Sequence, residues 1–190
     1  MRYSIITPIK NEEKYIGSTI DSVLAQNILP EKWIIIDDSS TDNTRSVISK
    51  FLTDYEFIEL ISAPKINIKE ISARIAKLLN IGYESLKDKP ALFLKLDADV
   101  FLPKEYSEFF VSQFSNNPKL GIASGCVDYK GIKEKNYDSS LTRGAAKFYR
   151  QNCFDEIGKA YLSRGWDTID NYAAMSLGWE TKKYDIYFKH

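Results

Sequence analysis

Four short apolar runs, alternating with stretches of helical periodicity, constrain this chain more than anything else in it. Tyr3-Ser4-Ile5-Ile6-Thr7-Pro8, Trp33-Ile34-Ile35-Ile36, residues 57–61 and residues 91–96 have the length and composition of buried strands. Between them, residues 12–26 repeat apolar side chains at Tyr15, Ile16, Ile20, Val23 and Leu24, with Asn11 as the expected N-cap and Glu12 and Glu13 in the first turn. A second helix is expected over 42–53, and a third over 68–85 with Ile71, Ile75, Leu78 and Leu79 on one face. Such alternation predicts an α/β fold: a mostly parallel central sheet with helices on both faces.

In sheets of that kind ligands sit at the carboxyl ends of the strands. Thr7, Asp37, Asp38, Asp97 and Asp99 stand at three such ends. The sharpest of them is Phe93-Leu94-Lys95-Leu96-Asp97-Ala98-Asp99. In extended chain, residues i and i+2 point the same way, roughly 6.5–7 Å apart. Two carboxylates so placed disfavour joint ionisation unless a cation lies between them. Oxygen ligands suit Mg²⁺ or Mn²⁺, and Mg²⁺ commonly takes one or two carboxylates with substrate phosphates completing the shell. The Asp-x-Asp pair alone is a weak signal and reads more simply as a solvated turn; three polar strand ends that could face one crevice carry the argument further.

The second half has a different rhythm. A helix is expected over 105–114, a strand over 121–129, a polar Lys-rich excursion over 130–140 and a helix over 147–157 ending at Gly158. Arg164-Gly165-Trp166-Asp167-Thr168-Ile169-Asp170 then opens a helix running to Leu177 and closed by Gly178, and residues 182–188 alternate as a last strand. With 190 residues and no repeat or linker, the chain reads as one packed domain.

Lysine plus arginine and aspartate plus glutamate balance at 26 each, which argues against a polyanionic partner such as nucleic acid. Cys126 and Cys153 lack metal-site spacing and read as free buried thiols in a reducing, cytoplasmic setting. The single histidine, His190, leaves no material for a His-based zinc site or a Ser-His-Asp triad. Met1-Arg2-Tyr3 leads straight into a strand, so no signal peptide is expected, and no apolar run nears the roughly 20 residues of a membrane span. Peripheral contact with the cytoplasmic face of a membrane stays open.

The residues resemble, over nearly the whole chain, the family-two inverting glycosyltransferases of the GT-A fold. The resemblance rests on Ser4-Ile5-Ile6-Thr7-Pro8-Ile9-Lys10-Asn11-Glu12, Ile36-Asp37-Asp38-Ser39-Ser40-Thr41-Asp42, Leu96-Asp97-Ala98-Asp99 and Gly165-Trp166-Asp167, in the family's order and on the matching elements. It implies a nucleotide-sugar half over about residues 1–103 and an acceptor half over about 104–190. It implies that Thr7, Pro8 and Glu12 line the nucleoside pocket, that Asp38 accepts from the base, and that Asp97 turns towards ribose and metal. Asp99 is implied as the main ligand of Mn²⁺ or Mg²⁺. The donor would be a nucleoside diphosphate sugar of UDP or GDP type, and the acceptor a glycan, lipid-linked or protein hydroxyl. Asp167 is implied as the base, with Asp170 as the alternative.

Three departures accompany the likeness. Leu79 precedes Asn80 where the family often has arginine, with Arg74 further back; Trp166 stands where an acidic residue is usual; and members usually continue past the last strand, often with a histidine that helps hold metal or diphosphate. His190 is placed to be that ligand, or to be the point beyond which further segments follow. Two rivals of similar architecture lack their signature: a sugar-nucleotide nucleotidyltransferase and a dinucleotide-binding oxidoreductase both need a Gly-rich loop where Pro8-Ile9-Lys10-Asn11 has no glycine. A rival of a different class is a non-catalytic nucleotide-sugar or partner-binding domain that keeps the fold.

Overall fold

The computed structural model describes all 190 residues. One eight-stranded sheet runs through the molecule: β1 (Tyr3–Ile9), β2 (Lys32–Asp37), β3 (Ile58–Ser62), β4 (Leu92–Leu96), β5 (Leu120–Tyr129), β6 (Ile132–Lys133), β7 (Ala146–Arg150) and β8 (Glu180–Lys189). The order is β3-β2-β1-β4-β7-β5-β6, with β8 pairing β5 beside this path. β3, β2, β1 and β4 are mutually parallel. β7 is antiparallel to both β4 and β5, while β8 runs parallel to β5. The carboxyl ends of β1, β2, β4, β5 and β8 therefore share one edge with the start of β7.

The expected parallel half is present, and its strands are apolar on both faces because both are covered. All residues of β1 and β4 are buried. Alternation sends Tyr3, Ile5, Trp33, Ile35, Leu92 and Leu94 into one core with α1 (Ile16–Leu24), α2 (Thr44–Leu52) and α4 (Tyr106–Asn116). Ile6, Ile34, Ile36 and Phe93 enter the other with α3 (Ile71–Ser85), α5 (Gln151–Glu156) and α6 (Trp166–Ser176). The same alternation turns Thr7 towards the first core, where its hydroxyl accepts from Trp33 Nε1 at 3.0 Å.

Two expectations are corrected. Residues 147–157 are not one helix: Ala146–Arg150 form a central strand, and only Gln151–Glu156 are helical. Ala146 and Phe148 face one core and Tyr149 the other, so this stretch obeys a two-residue period disguised by the buried charge of Lys147. Asn11 does not cap α1, which begins at Ile16 behind Tyr15. Asn11 instead adopts φ 57°, and its Oδ1 accepts from Thr41 N at 2.8 Å, while Glu12 N donates to Thr44 Oγ1 at 2.7 Å. The chain leaving β1 is thus stitched to the loop leaving β2, which holds Glu12 at the edge of the crevice.

The excursion over 130–140 carries a small hairpin. Lys130 and Gly131 have φ 52° and 86°, the two-residue turn that joins β5 to β6. Behind the aspartate pair, Phe101 and Lys189 exchange backbone hydrogen bonds at 2.9 and 3.0 Å, tying the segment after β4 to the end of β8.

Candidate active site

Two adjoining cavities open along the shared strand edge. The larger, about 580 Å³, is lined by Pro8, Glu12, Asp38, Asp97, Asp99 and His190, together with Arg74 and apolar residues of α3. The second, about 490 Å³, shares Asp97 and His190 and adds Lys95, Gly144, Arg164 and Asp167. Both volumes lie in the range of small-molecule sites. The structure therefore brings together all the expected site residues except two. Thr7 is wholly buried on the opposite face of β1 and does not reach the crevice. Asp170 is likewise wholly buried, held by Lys147 Nζ at 3.1 Å from each oxygen and by Tyr149 Oη at 2.5 Å.

Asp38, at the end of β2, is gripped in a fork. Arg74 on α3 donates through Nε at 2.5 Å and Nη2 at 2.6 Å to its two oxygens. Sequence spacing left the role of Arg74 unassigned; 36 residues separate the pair, and only the packing of α3 on the sheet joins them. Neighbouring Asp37 faces away, to Arg45 at 2.7 Å. Burial pushes the Asp37 carboxyl up, but Ser40 and Arg45 outweigh it and hold it below the usual range. Ile71 is 74% exposed although it stands on the helix face expected to be core; it lines both cavities.

At the centre, β4 ends and releases Asp97 and Asp99. Asp97 Oδ1 accepts from Lys95 Nζ at 2.5 Å. Asp99 Oδ2 lies 3.3 Å from His190 Nε2, with the two side chains 37% and 39% exposed. His190 holds the Asp99 carboxyl below the usual carboxylate range, and Asp99 raises the imidazole in return. Glu12 is pushed up, first by burial and then by the facing charges of Asp99, Asp97 and Asp42. Four carboxylates, Glu12, Asp38, Asp97 and Asp99, line this cavity, and with Asp38 matched by Arg74 the other three create a demand for positive charge.

The donor chemistry fits a divalent cation. Asp99 and His190 present an oxygen and a nitrogen side by side on the cavity wall. No three His, Cys, Asp or Glu side chains form a ready cage. Any cation held there would need water or ligand oxygens for the rest of its shell.

Asp167 sits in the first turn of α6, whose N-cap Gly165 is left-handed at φ 72°. Beside it lies Gly144: a Cβ there would fall 3.0 Å from Asp167 Cβ, 3.1 Å from Cγ, and closer still to Oδ2. Trp166, in the place of the usual acidic residue, is buried and lies with its ring 5.8 Å from Lys95 Nζ. Lys95, Gly144 and Lys147 escaped the sequence reading. The available signal was a lysine in an otherwise apolar strand, Leu92-Phe93-Leu94-Lys95-Leu96, which has no reason to be there unless it serves a buried partner.

A parallel sheet with an antiparallel β7, polar strand ends and an Asp-x-Asp crevice define the GT-A class of nucleotide-sugar-binding fold. Sequence comparison places the chain within that class: residues 4–178 match glycosyl transferase family 2, and the chain belongs to that family. It is 29% identical over 124 residues to the poly-beta-1,6-N-acetyl-D-glucosamine synthase of Staphylococcus epidermidis, covering 64% of this chain and 27% of the relative. The synthase of Staphylococcus aureus strain COL is 30% identical over 115 residues, covering 60% and 26%. The chain thus spans about a quarter of these relatives' length.

Among solved structures, S. aureus TarS 1-349 in complex with UDP-GlcNAc superposes with a TM-score of 0.79 at 17% identity, over 100% of this chain and 58% of that one. The mannosyltransferase PcManGT from Pyrobaculum calidifontis, in complex with GDP-Man and Mn2+, superposes with a TM-score of 0.77 at 16% identity, over 100% and 56%. No helix of this chain is long and apolar enough to cross a membrane.

Proposed function

We propose that this chain is the catalytic domain of a metal-dependent inverting glycosyltransferase, moving a sugar from a nucleoside diphosphate sugar to a hydroxyl of a glycan, lipid-linked or protein acceptor. The observation that carries this reading is the adjacency of two cavities that share Asp97: one walled by Asp38, Asp99 and His190, the other by Asp167. The neighbours that bind UDP-GlcNAc or GDP-Man support a UDP- or GDP-type donor.

In this reading residues 1–103 bind the nucleotide and residues 104–190 the acceptor. Arg74 orients Asp38 towards the base, and Pro8 and Glu12 wall the nucleoside. Asp99, with Asp97 and His190, would hold Mg²⁺ or Mn²⁺, which when bound supplies charge neutralisation for the diphosphate. Asp167 accepts the proton of the acceptor hydroxyl as that oxygen bonds to the anomeric carbon. The bond from that carbon to the diphosphate breaks, and the diphosphate leaves with the electron pair.

The test is a melting panel of UDP-GlcNAc and GDP-mannose with Mn²⁺ or Mg²⁺, followed by transfer assays. A hundredfold excess over Kd stabilises by about 2.7 kcal/mol, a rise of roughly 5–11 °C for a chain of this size. Asp167→Asn is expected to keep that rise and lose transfer. Absence of any nucleotide-dependent rise refutes the reading, and a rise with no turnover by the native chain leaves a binding domain.

A further inference from the structure

Two buried ammonium groups stand opposite each other across β4 and β7. Lys95 and Lys147 are Cα partners in that antiparallel ladder, and they are 3% and 0% exposed. Directly opposed residues share one face of the sheet, where like charges repel. Burial lowers the Lys147 pKa and the charge of Lys95 adds to that, while Asp170 and Asp167 pull it back up. A buried ion pair is weak evidence for stability, since apolar residues of similar volume often serve as well. Packing alone therefore gives no reason for this arrangement.

Each ammonium ends on a group of the crevice. Lys95 Nζ donates to Asp97 Oδ1 and, at 2.8 Å, to the carbonyl of Gly144. Lys147 Nζ donates at 2.5 Å to the carbonyl of Asp167 and is anchored on both oxygens of Asp170. Asn171 Nδ2 closes the same grip, donating to the Asp167 carbonyl at 3.0 Å and to Asp170 Oδ1 at 2.9 Å. Tyr149 Oη fixes Asp170 from the sheet side.

We propose that Lys147, anchored by Asp170, is the positioning residue that sets the place of Asp167, as Lys95 does for Asp97. The register of β4 against β7 then fixes the distance between the leaving-group side and the proton-accepting side of the crevice. This rests on the reading of Asp167 as the base. Reactive groups must be held to about 0.5 Å, and a cross-strand pair in the sheet centre is a more rigid ruler than any loop.

The deciding variant is Lys147→Met combined with Asp170→Asn, which removes both charges together and leaves no unpaired buried ion. It is expected to melt within a few degrees of the native chain, to keep the nucleotide-induced melting rise and the donor KM, and to lose about ten- to a hundredfold in kcat. A kcat within about threefold of native overturns the proposal, and so does a fall in kcat accompanied by loss of the nucleotide-induced rise. Should the double variant not fold, Lys147→Arg decides. It keeps the charge opposite Asp170 but replaces the compact donor with a planar fork, so a fall in kcat at constant KM supports positioning and native kcat overturns it. UDP-GlcNAc and GDP-mannose with Mn²⁺ are the donors, and Asp167→Asn is run beside them. Loss of transfer in Asp167→Asn with native kcat in the lysine variants refutes positioning alone. Native transfer in Asp167→Asn, or no turnover of either donor by the native chain, refutes both readings.

Discussion

Replacing Gly144 by alanine is the most economical way to disturb the acceptor side of the crevice without touching a charged group. Gly144 is not among the residues with positive φ, so alanine brings no backbone strain. Its new Cβ would lie 3.0 Å from Asp167 Cβ and 3.1 Å from Cγ, and would press hardest on Oδ2. Ordinary contact is about 3.5 Å, so the carboxylate must retreat by about 1 Å. Rotating the carboxylate alone does not suffice, because Asp167 Cβ is also too close. A displacement of about 1 Å at a reacting group costs on the order of a hundredfold in rate, or about 2.7 kcal/mol in the barrier. The assay is kcat for transfer beside the nucleotide-induced melting rise, which is expected to be unchanged. A kcat within about threefold of native, with Asp167→Asn inactive, would refute the idea that this contact places the carboxylate.

Two further outcomes are expected. Asp99→Asn should abolish the metal-dependent part of the melting rise while leaving any metal-free part; survival of the full metal effect would exclude Asp99 as the ligand. Glu134 makes the protein acid-sensitive: burial pushes its carboxyl up, but Arg143 and Lys183 outweigh that and bring it to about 2. Because the folded value lies below the ordinary 4.5, the contribution is present above pH 4.5 and is lost as pH falls towards 2. Glu134 is shielded at 13% exposure but Arg143 is 51% exposed, so solvent screening brings the effect to on the order of 1–3 kcal/mol. Urea melts at pH 7 and pH 3 should show a smaller pH difference in Glu134→Gln, and an unchanged difference would refute the assignment.

The parallel half was legible because its signals are local. Isoleucine runs with polar ends, and amphipathic spans between them, report a covered sheet without reference to distant residues. The strand ends carrying Asp38, Asp97 and Asp99 were legible for the same reason. β7 was not, since its alternation is broken by Lys147, a charge that points inward and whose partner Asp170 lies 23 residues away. Thr7 was assigned to the crevice although strand parity turns it to the other face. Asn11 has the chemistry of a cap, but its left-handed backbone spends that chemistry on Thr41. The fork between Arg74 and Asp38 belongs to the packing of α3, which no local pattern encodes.

The paired backbones of Phe101 and Lys189 make the last strand a reporter of events in the crevice. Asp99 stands two residues before one end of that clasp and His190 one residue after the other, so anything that draws their side chains together also holds the clasp shut. Local opening, rather than global unfolding, governs exchange at such edge amides. A ligand held between Asp99 and His190 should therefore slow hydrogen exchange at Phe101 and Lys189, while amides of β3, at the far edge of the sheet, keep their rates.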